Sequence, residues 1–174
     1  MAGIVRRIDD LGRIVIPKEI RNTLRIKNGD KLDIISYDDR IILQKYSSIA
    51  SCEDKVSDYV YAFSEVLGLN ILVSDRDKIV ASSSDGECKY LNKEISDTLL
   101  RLIDSRDKFY SKQKSEISII KGVKDNYYYV IVSIVSNSDA NGCVIVYSED
   151  RYLDMLEESS AIVLAKILSK HLEW

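Results

Sequence analysis

The sequence contains very little cysteine, histidine or proline: three cysteines, one histidine and one proline among 174 residues. Cys52, Cys88 and Cys143 are odd in number, lie far apart and form no CxxC pair, which disfavours a disulfide framework and a zinc site. His171 has no evident catalytic partner, so we expect it on a surface or in a helix bundle. We therefore expect no metal, no cofactor and no enzymatic activity.

Long apolar runs are also absent. No segment approaches the ~20 apolar residues of a membrane span, and the N-terminus lacks the apolar stretch of a secretion signal. With the unpaired cysteines, this predicts a cytoplasmic protein with reduced thiols. Hydrophobic residues make up 45% and charged residues 30% of the chain, a balance that disfavours wholesale disorder.

Charge is divided unevenly along the chain, whose net charge is −3. Residues 1–50 hold 10 Lys and Arg against 7 Asp and Glu, a net of +3, whereas residues 51–174 hold 15 against 21, a net of −6. This asymmetry predicts a basic head with a polyanionic partner and an acidic body that does not share it.

The head, residues 1–46, has the pattern of short β-strands and one short helix. We expect strands at 3–8 and 13–16 around an Asp9–Gly12 turn, a helix from Pro17 to Leu24 with Pro17 at its first position, and a hairpin of 32–36 with 41–46. These elements are too few to close a core alone. Ile14–Ile16 and Ile41–Leu43 are continuous apolar runs, so both faces of these strands should be partly buried. We infer an obligate homodimer interleaved through this region.

The basic residues of the head suit a phosphate backbone. Lys18, Arg21 and Arg25 are spaced at i, i+3 and i+7, which predicts one helical face. Doubled by a two-fold axis, they and the nearby arginines would present a broad cationic surface to duplex DNA. From charge alone, an ordinary solvated surface is an equally good interpretation.

Residues 3–21, GIVRRIDDLGRIVIPKEIR, closely resemble the swapped-hairpin DNA-binding domain of the AbrB-type transition-state regulators. The resemblance continues through Thr23-Leu24, Asn28-Gly29-Asp30 and Ile41–Tyr46. It implies that Arg6, Arg7, Arg13 and Arg21 contact DNA. With a second domain present, it also implies a regulator that activates some sporulation genes and represses others, associated with the nucleoid of the forming spore.

One position departs from the family pattern. Relatives commonly have a second arginine in the helix where this chain has Asn22, which still offers hydrogen bonds to a phosphate or an adenine edge. Arg25, where some relatives have glycine, brings a further cation. The predicted DNA-binding set is Arg6, Arg7, Arg13, Lys18, Arg21, Asn22 and Arg25.

A short polar connection, residues 47–53, leads to a second domain, residues 54–174. Its pattern predicts a helix over 56–67, strands at 70–74 and 78–83, a helix over 91–103, strands at 116–120, 127–135 and 143–148 with a turn at Asn141-Gly142, and a helix over 153–172. This α+β order around one antiparallel sheet resembles a GAF sensor domain. Ser82, Ser84, Cys88 and Lys89 are its candidate ligand-binding residues, although the cyclic-nucleotide signature is not visible.

The last helix is apolar over more than one face. Leu156, Val163 and Ile167 belong to a wide stripe, and Met155 and Ile162 extend beyond it. A helix on a sheet needs only one stripe, so the surplus predicts packing against other subunits. A homotetramer and a dimer that uses both contacts remain open.

Two other functions fit parts of the sequence. The same head occurs in antitoxins, although these usually end in a short extended tail. Some GAF proteins are thiol enzymes that reduce free methionine sulfoxide, and Cys88 is the candidate thiol, although such chemistry needs a second thiol nearby.

Overall fold

A computed structural model describes residues 4–83 and 88–172. The chain divides into two compact units, residues 1–46 (the N-terminal unit) and residues 47–174 (the C-terminal unit). In these described ranges, no helix combines the length and apolarity that a membrane span requires.

The N-terminal unit contains one helix and one hairpin, both as predicted. The helix, α1, is Lys18–Thr23, and the antiparallel hairpin pairs β1, Leu32–Tyr37, with β2, Arg40–Lys45. Pro17 is the residue before the helix rather than its first residue, with φ −55° and ψ 147°. Its carbonyl accepts the first helical hydrogen bond, from Arg21 N–H at 3.0 Å.

The two strands predicted at 3–8 and 13–16 are not formed. Residues 4–8 and 13–16 are irregular backbone that pairs with no strand of the described chain. Their apolar side chains face solvent: Val5 is 90% and Val15 75% exposed. Among residues 4–46, Pro17 alone is buried. The physical reason is that a strand needs a neighbour to bond with, and one copy of this unit does not supply it.

The C-terminal unit is an α+β domain around one antiparallel sheet, as the sequence predicts. Its helices are α2, Glu53–Leu67, α3, Asp97–Asp104, and α4, Met155–His171. Its strands are β3, Asn70–Ser74, β4, Ile79–Ser82, β5, Lys108–Tyr110, β6, Ser115–Ile117, β7, Asp125–Ser136, and β8, Asp139–Ser148. The sheet order is β4-β3-β8-β7-β5, and β6 pairs with the other end of β7. Sequence patterning missed β5, which is too short to show a period.

Alternation along the central strands sends side chains to two separate cores. On one face, Val130, Val144 and Val146 pack with helices α2 and α4. On the other face, Ile131 and Ile145 pack with α3 and with the segment that precedes it. The sheet is therefore covered on both sides, which explains the almost continuous apolar character of β7 and β8.

The start of α4 is fixed by a buried carboxylate. Glu157 accepts a hydrogen bond from Asp154 N–H at 2.8 Å, and Asp154 in turn caps the helix. Arg151 Nη1 lies 2.8 Å from Glu157 Oε1. Burial by itself would raise the pKa of Glu157, but these hydrogen bonds lower that pKa to about 2.

Helix α3 begins at Asp97, later than residue 91, where the sequence predicted its start. Ser96 caps α3 by accepting from Leu99 N–H at 3.0 Å. The preceding segment turns back onto the sheet instead, where Asn92 N–H donates to the Ile79 carbonyl at 2.9 Å and Ile95 bridges Ile120. These tertiary hydrogen bonds outweigh the helical pattern that predicted a helix from residue 91.

Asn141-Gly142 is not the turn of the β7–β8 hairpin. The two-residue turn is Asn137-Ser138, with φ of 49° and 67° as a type I′ turn requires. Asn141 and Gly142 lie inside β8, beside a bulge. A Cβ on Gly142 would lie 1.9 Å from the Ser74 carbonyl oxygen, so glycine is required there for close approach of β3 rather than for a turn.

The segment predicted as a connection, residues 47–53, is packed into the C-terminal unit. Ile49 is a buried member of the core beneath α2. Ala50–Cys52 form a 3-10 turn, and α2 begins at Glu53.

Candidate nucleic-acid interface and ligand site

The predicted DNA-binding residues lie on the surface of the N-terminal unit. The exposed members are Arg6, Arg7, Arg13, Lys18, Arg21 and Asn22. Arg6 and Arg7 lie on the irregular segment before the Asp9–Gly12 turn, Arg13 follows that turn, and the other three lie on α1.

The turn before Arg13 is built around Asp9, which sequence reasoning did not select. The Asp9 carboxylate accepts hydrogen bonds from Leu11 N–H at 3.0 Å and Arg13 N–H at 2.8 Å. The Arg13 guanidinium Nε–H donates to its other oxygen at 2.8 Å. The backbone bond from Arg13, then its side-chain bond, holds the pKa of Asp9 below the usual value. Asp9 therefore positions Arg13, and the i, i+4 spacing of an acid and an arginine was the available signal.

Helix α1 brings Lys18 and Arg21 one turn apart, but Arg25 is not on that helical face. The helix ends at Thr23, and Arg25 has φ 53°, in the left-handed region. Ile26 N–H donates to the Arg21 carbonyl at 2.7 Å and Arg25 N–H to the Asn22 carbonyl at 3.2 Å, which is a Schellman motif. Glycine is favoured at this position of the motif.

In the C-terminal unit, Lys89 is the ligand-site candidate with the most defined surroundings. Its ammonium lies 2.8 Å from Asp125 Oδ1 and 3.1 Å from the Tyr127 hydroxyl. Cys88 is half-buried beside the core on this face of the sheet, and Ser82 is half-buried at the end of β4. Ser84 lies outside the described residues. The structure thus joins Lys89 to residues of β7.

Sequence reasoning missed most of this cluster. Tyr90 is fully buried, and its hydroxyl donates to Asp125 Oδ2 at 2.7 Å and lies 2.8 Å from the Tyr127 hydroxyl. Tyr127 is buried in the core on this face of the sheet. Burial, then its hydrogen bonds, raises the pKa of Tyr90, so this phenol stays neutral. Asp125 therefore supplies the negative charge of the cluster.

The cysteines are all free thiols, but they differ in environment. Cys143 is fully buried, and its Sγ lies 3.2 Å from Ser74 Oγ. Burial raises the pKa of the Cys143 thiol to about 12, which makes it a poor nucleophile. In the part of the chain that the structure describes, no group of three or more potential ligands is placed to hold a metal.

The outer faces of α2 and α4 carry exposed apolar side chains. Leu156 and Val163 on α4 are 63% and 48% exposed, and Val66 on α2 is 84% exposed. Near the end of α4, His171 Nε2 lies 2.7 Å from the Tyr59 hydroxyl, and the two rings stack. His171 is exposed between these helices, as predicted.

Family models match both parts of the chain. The model for the C-terminal domain of stage V sporulation protein T, a transcription factor, matches residues 53–173. The model for the bacterial antitoxin MazE, described as antidote-toxin recognition, matches residues 5–51.

Similar proteins agree with this division. The GAF domain of PixJ from Thermosynechococcus elongatus, in its blue-light absorbing form, aligns with a TM-score of 0.56 and 18% identity over 74% of this chain and 89% of that one, a likeness of fold alone. Transition state regulatory protein AbrB of Bacillus subtilis (strain 168) is 50% identical over 58 residues, 32% of this chain and 60% of AbrB. Stage V sporulation protein T of the same organism is 40% identical over 98% of this chain and 97% of its own. The chain therefore belongs to the stage V sporulation protein T family of transcription factors, with an AbrB-like N-terminal domain and a GAF-like C-terminal domain.

Proposed function

We propose that the chain acts in the cytoplasm, at the nucleoid of the forming spore, as a DNA-binding regulator that activates some sporulation genes and represses others, and that its N-terminal unit binds duplex DNA as a homodimer. The observation that carries this is the pairing of two properties in one small unit. Six of the predicted contact residues are exposed, and most are arginines, which suit phosphate and guanine. The same unit leaves its apolar residues exposed in one copy, as Val5 and Val15 show.

In the proposed interface, some residues fix the position of the protein on the duplex and others read bases. Arg13, held by Asp9, and the two cations of α1, Lys18 and Arg21, contact phosphates and fix the dimer on the duplex. Arg6, Arg7 and Asn22 complete the surface. Arg25 contributes charge from beside the helix rather than from its face, because its backbone is left-handed.

Arg13→Ala tests the DNA surface. The variant should bind duplex DNA more weakly, and its slope of log affinity against log salt should fall by about 0.9 for each phosphate that the protein no longer neutralises. Arg40→Ala is the matched control, because Arg40 is an exposed arginine beside Asp39 in the β1–β2 turn, away from the predicted set. Equal salt slopes for Arg13→Ala, Arg40→Ala and the wild type would remove Arg13 from the interface.

For assembly, we propose a homotetramer, in which dimers formed through residues 1–46 join through the outer faces of α2 and α4. Exposed Leu156, Val163 and Val66 provide the second surface. Val15→Asp should then leave dimers joined through the helices, and Val163→Glu should leave dimers joined through the heads. Sedimentation equilibrium measures both masses. A dimeric wild type would show instead one dimer that uses both contacts.

Two observations bear on the alternative functions. The antitoxin model matches only residues 5–51, whereas a transcription-factor model matches the folded remainder, which favours a regulator. A thiol enzyme needs a second reactive cysteine, and Cys143 is buried with a raised pKa. We propose that the C-terminal unit instead stabilises assembly and senses a ligand near Lys89, which shifts the DNA-binding state.

A further inference from the structure

The ammonium of Lys89 occupies a site formed by aromatic rings and one carboxylate. Besides its hydrogen bonds to Asp125 and Tyr127, Lys89 Nζ lies 4.8 Å from the centre of the Tyr90 ring and 5.7 Å from that of the Tyr127 ring. The Tyr90 distance is within the range of cation–π attraction, whereas Tyr127 meets the ammonium with its hydroxyl oxygen. We call Asp125, Tyr90 and Tyr127 the ammonium cage.

The cage is held in place by groups other than Lys89. Tyr90 and Tyr127 are buried, and their hydroxyls bond to each other. The ring of Tyr147 on β8 packs at 4.6 Å from the Tyr127 ring and edge-on to Tyr90 at 6.0 Å. The cage therefore has a fixed shape that does not depend on the cation.

The position of Lys89 allows its side chain to leave the ammonium cage. It lies in an irregular segment between β4 and α3, and its side chain is 54% exposed, whereas the Asp125 side chain is 14% exposed. Departure of Lys89 would uncover a nearly buried carboxylate, which needs a new cation. The cage thus has one negative charge, the ring of Tyr90 and acceptor oxygens for N–H groups.

This chemistry fits one class of ligand. A primary ammonium group donates to Asp125 and Tyr127 and presents its charge to the Tyr90 ring, as Lys89 does. An anion would meet the carboxylate and be repelled, and a neutral alcohol would leave the charge of Asp125 uncompensated.

We propose that the ammonium cage is a binding site for ligands with a primary ammonium group, and that Lys89 closes it until such a ligand displaces the lysine. This deepens the proposed sensing role by naming the ligand class, and it does not depend on DNA binding. A tethered competitor has a local concentration of roughly millimolar or more. Wild-type protein should therefore bind simple amines weakly, and removal of Lys89 should open the site.

The test uses n-propylammonium, which replaces the atoms that Lys89→Ala removes. The variant should have a lower Tm for the C-terminal unit than the wild type, and n-propylammonium should raise that Tm with at least tenfold higher apparent affinity than in the wild type. n-Propanol and sodium at equal concentration should not raise the Tm of the variant. Lys124→Ala is the matched control, because Lys124 pairs with Glu116 at 2.8 Å where both side chains are mostly exposed.

Three further measurements complete the test. Asp125→Asn in the Lys89→Ala background should abolish the response. If Lys89→Ala does not fold, Lys89→Met with the ammonium ion replaces it, since methionine keeps the apolar stem and lacks only the nitrogen. No response to the ammonium probe, or an equal response in Lys124→Ala or with sodium, overturns the site. Duplex DNA affinity of the same variant reports on the N-terminal unit, so failure of the cage leaves the DNA-binding proposal intact.

Discussion

In the C-terminal unit, the central strands β7 and β8 are covered on both faces, and the cores on the two sides include fully buried Ile131, Ile145 and Val146. In the N-terminal unit, Pro17 is the one buried residue among 4–46, while Val5 and Val15 lie in water. This difference shows that the C-terminal unit buries its apolar residues within one chain, whereas the N-terminal unit leaves most of its apolar residues exposed in one copy. Burial of a valine is worth about 1.5–3 kcal/mol, so the second region has a strong drive to acquire a partner.

Gly142→Ala should strongly destabilise the C-terminal unit, and this is the largest effect that we predict. The new Cβ would lie 1.9 Å from the Ser74 carbonyl oxygen, so β3 and β8 must separate. We expect a decrease of at least about 3 kcal/mol in unfolding free energy, measured by denaturant titration.

Gly122→Ala is the control for Gly142→Ala. Gly122 has φ +75° and no atom within 4 Å of an added Cβ, so only backbone strain of about 1 kcal/mol is expected. Equal destabilisation by the two substitutions would contradict the view that β3 and β8 have no spare room at Gly142.

Lowering the pH should remove the stabilisation that Glu157, the buried carboxylate at the start of α4, gives the C-terminal unit. Its pKa is about 2 in the folded chain and about 4.3 when unfolded. A lowered pKa stabilises the fold above the unfolded value, and this stability is lost as pH falls through the folded value. Glu157→Gln should therefore be less stable than the wild type by roughly 3 kcal/mol at pH 7. The gap should close between about pH 4.5 and pH 2.

The control for this pH effect is Glu116→Gln, because Glu116 forms an exposed pair with Lys124. Thermal melts across the same pH range should show almost no gap for this variant. A gap between Glu157→Gln and the wild type that persists at pH 2 would refute the carboxylate's role.

The smallest expected effect is in the N-terminal unit, at Arg25. Glycine accepts φ 53° without strain, whereas alanine does not. Arg25→Gly should therefore be more stable than Arg25→Ala by about 1 kcal/mol, in thermal melts at equal protein concentration. Both variants lack the guanidinium, so they should bind DNA with equal affinity at temperatures where both are folded. A more stable alanine variant would show that the helix end has a different conformation in the assembled protein.

The sequence predicted the elements whose pattern reflects burial within one chain. The strand at 70–74 and the α2 helix, ending at Gly68 with φ 62°, agree with the structure. Predictions failed where distant hydrogen bonds decide, as at Asn92 and Ile95 before α3, and where the described chain offers no neighbouring strand, as at 13–16.

The candidate sites divide in the same way. Exposed arginines can be selected from composition and resemblance, because exposure leaves their charge available. Asp125 and Tyr90 are 35 residues apart in sequence and meet only because a segment folds back over β7. No local pattern in the sequence encodes that meeting.

The Asp9–Arg13 pair has a consequence for how the head meets DNA. Two backbone N–H groups bind the Asp9 carboxylate independently of the guanidinium. In the proposed complex, the loop would therefore keep its shape while Arg13 exchanged Asp9 for a phosphate. The ion pair reduces the long-range attraction of Arg13 to polyanions, and in the proposed complex only an anion close enough to compete with Asp9 would meet the full charge of the guanidinium. If Arg13 binds a phosphate as proposed, Asp9 would thus favour a closely fitting duplex over a diffuse distribution of negative charge.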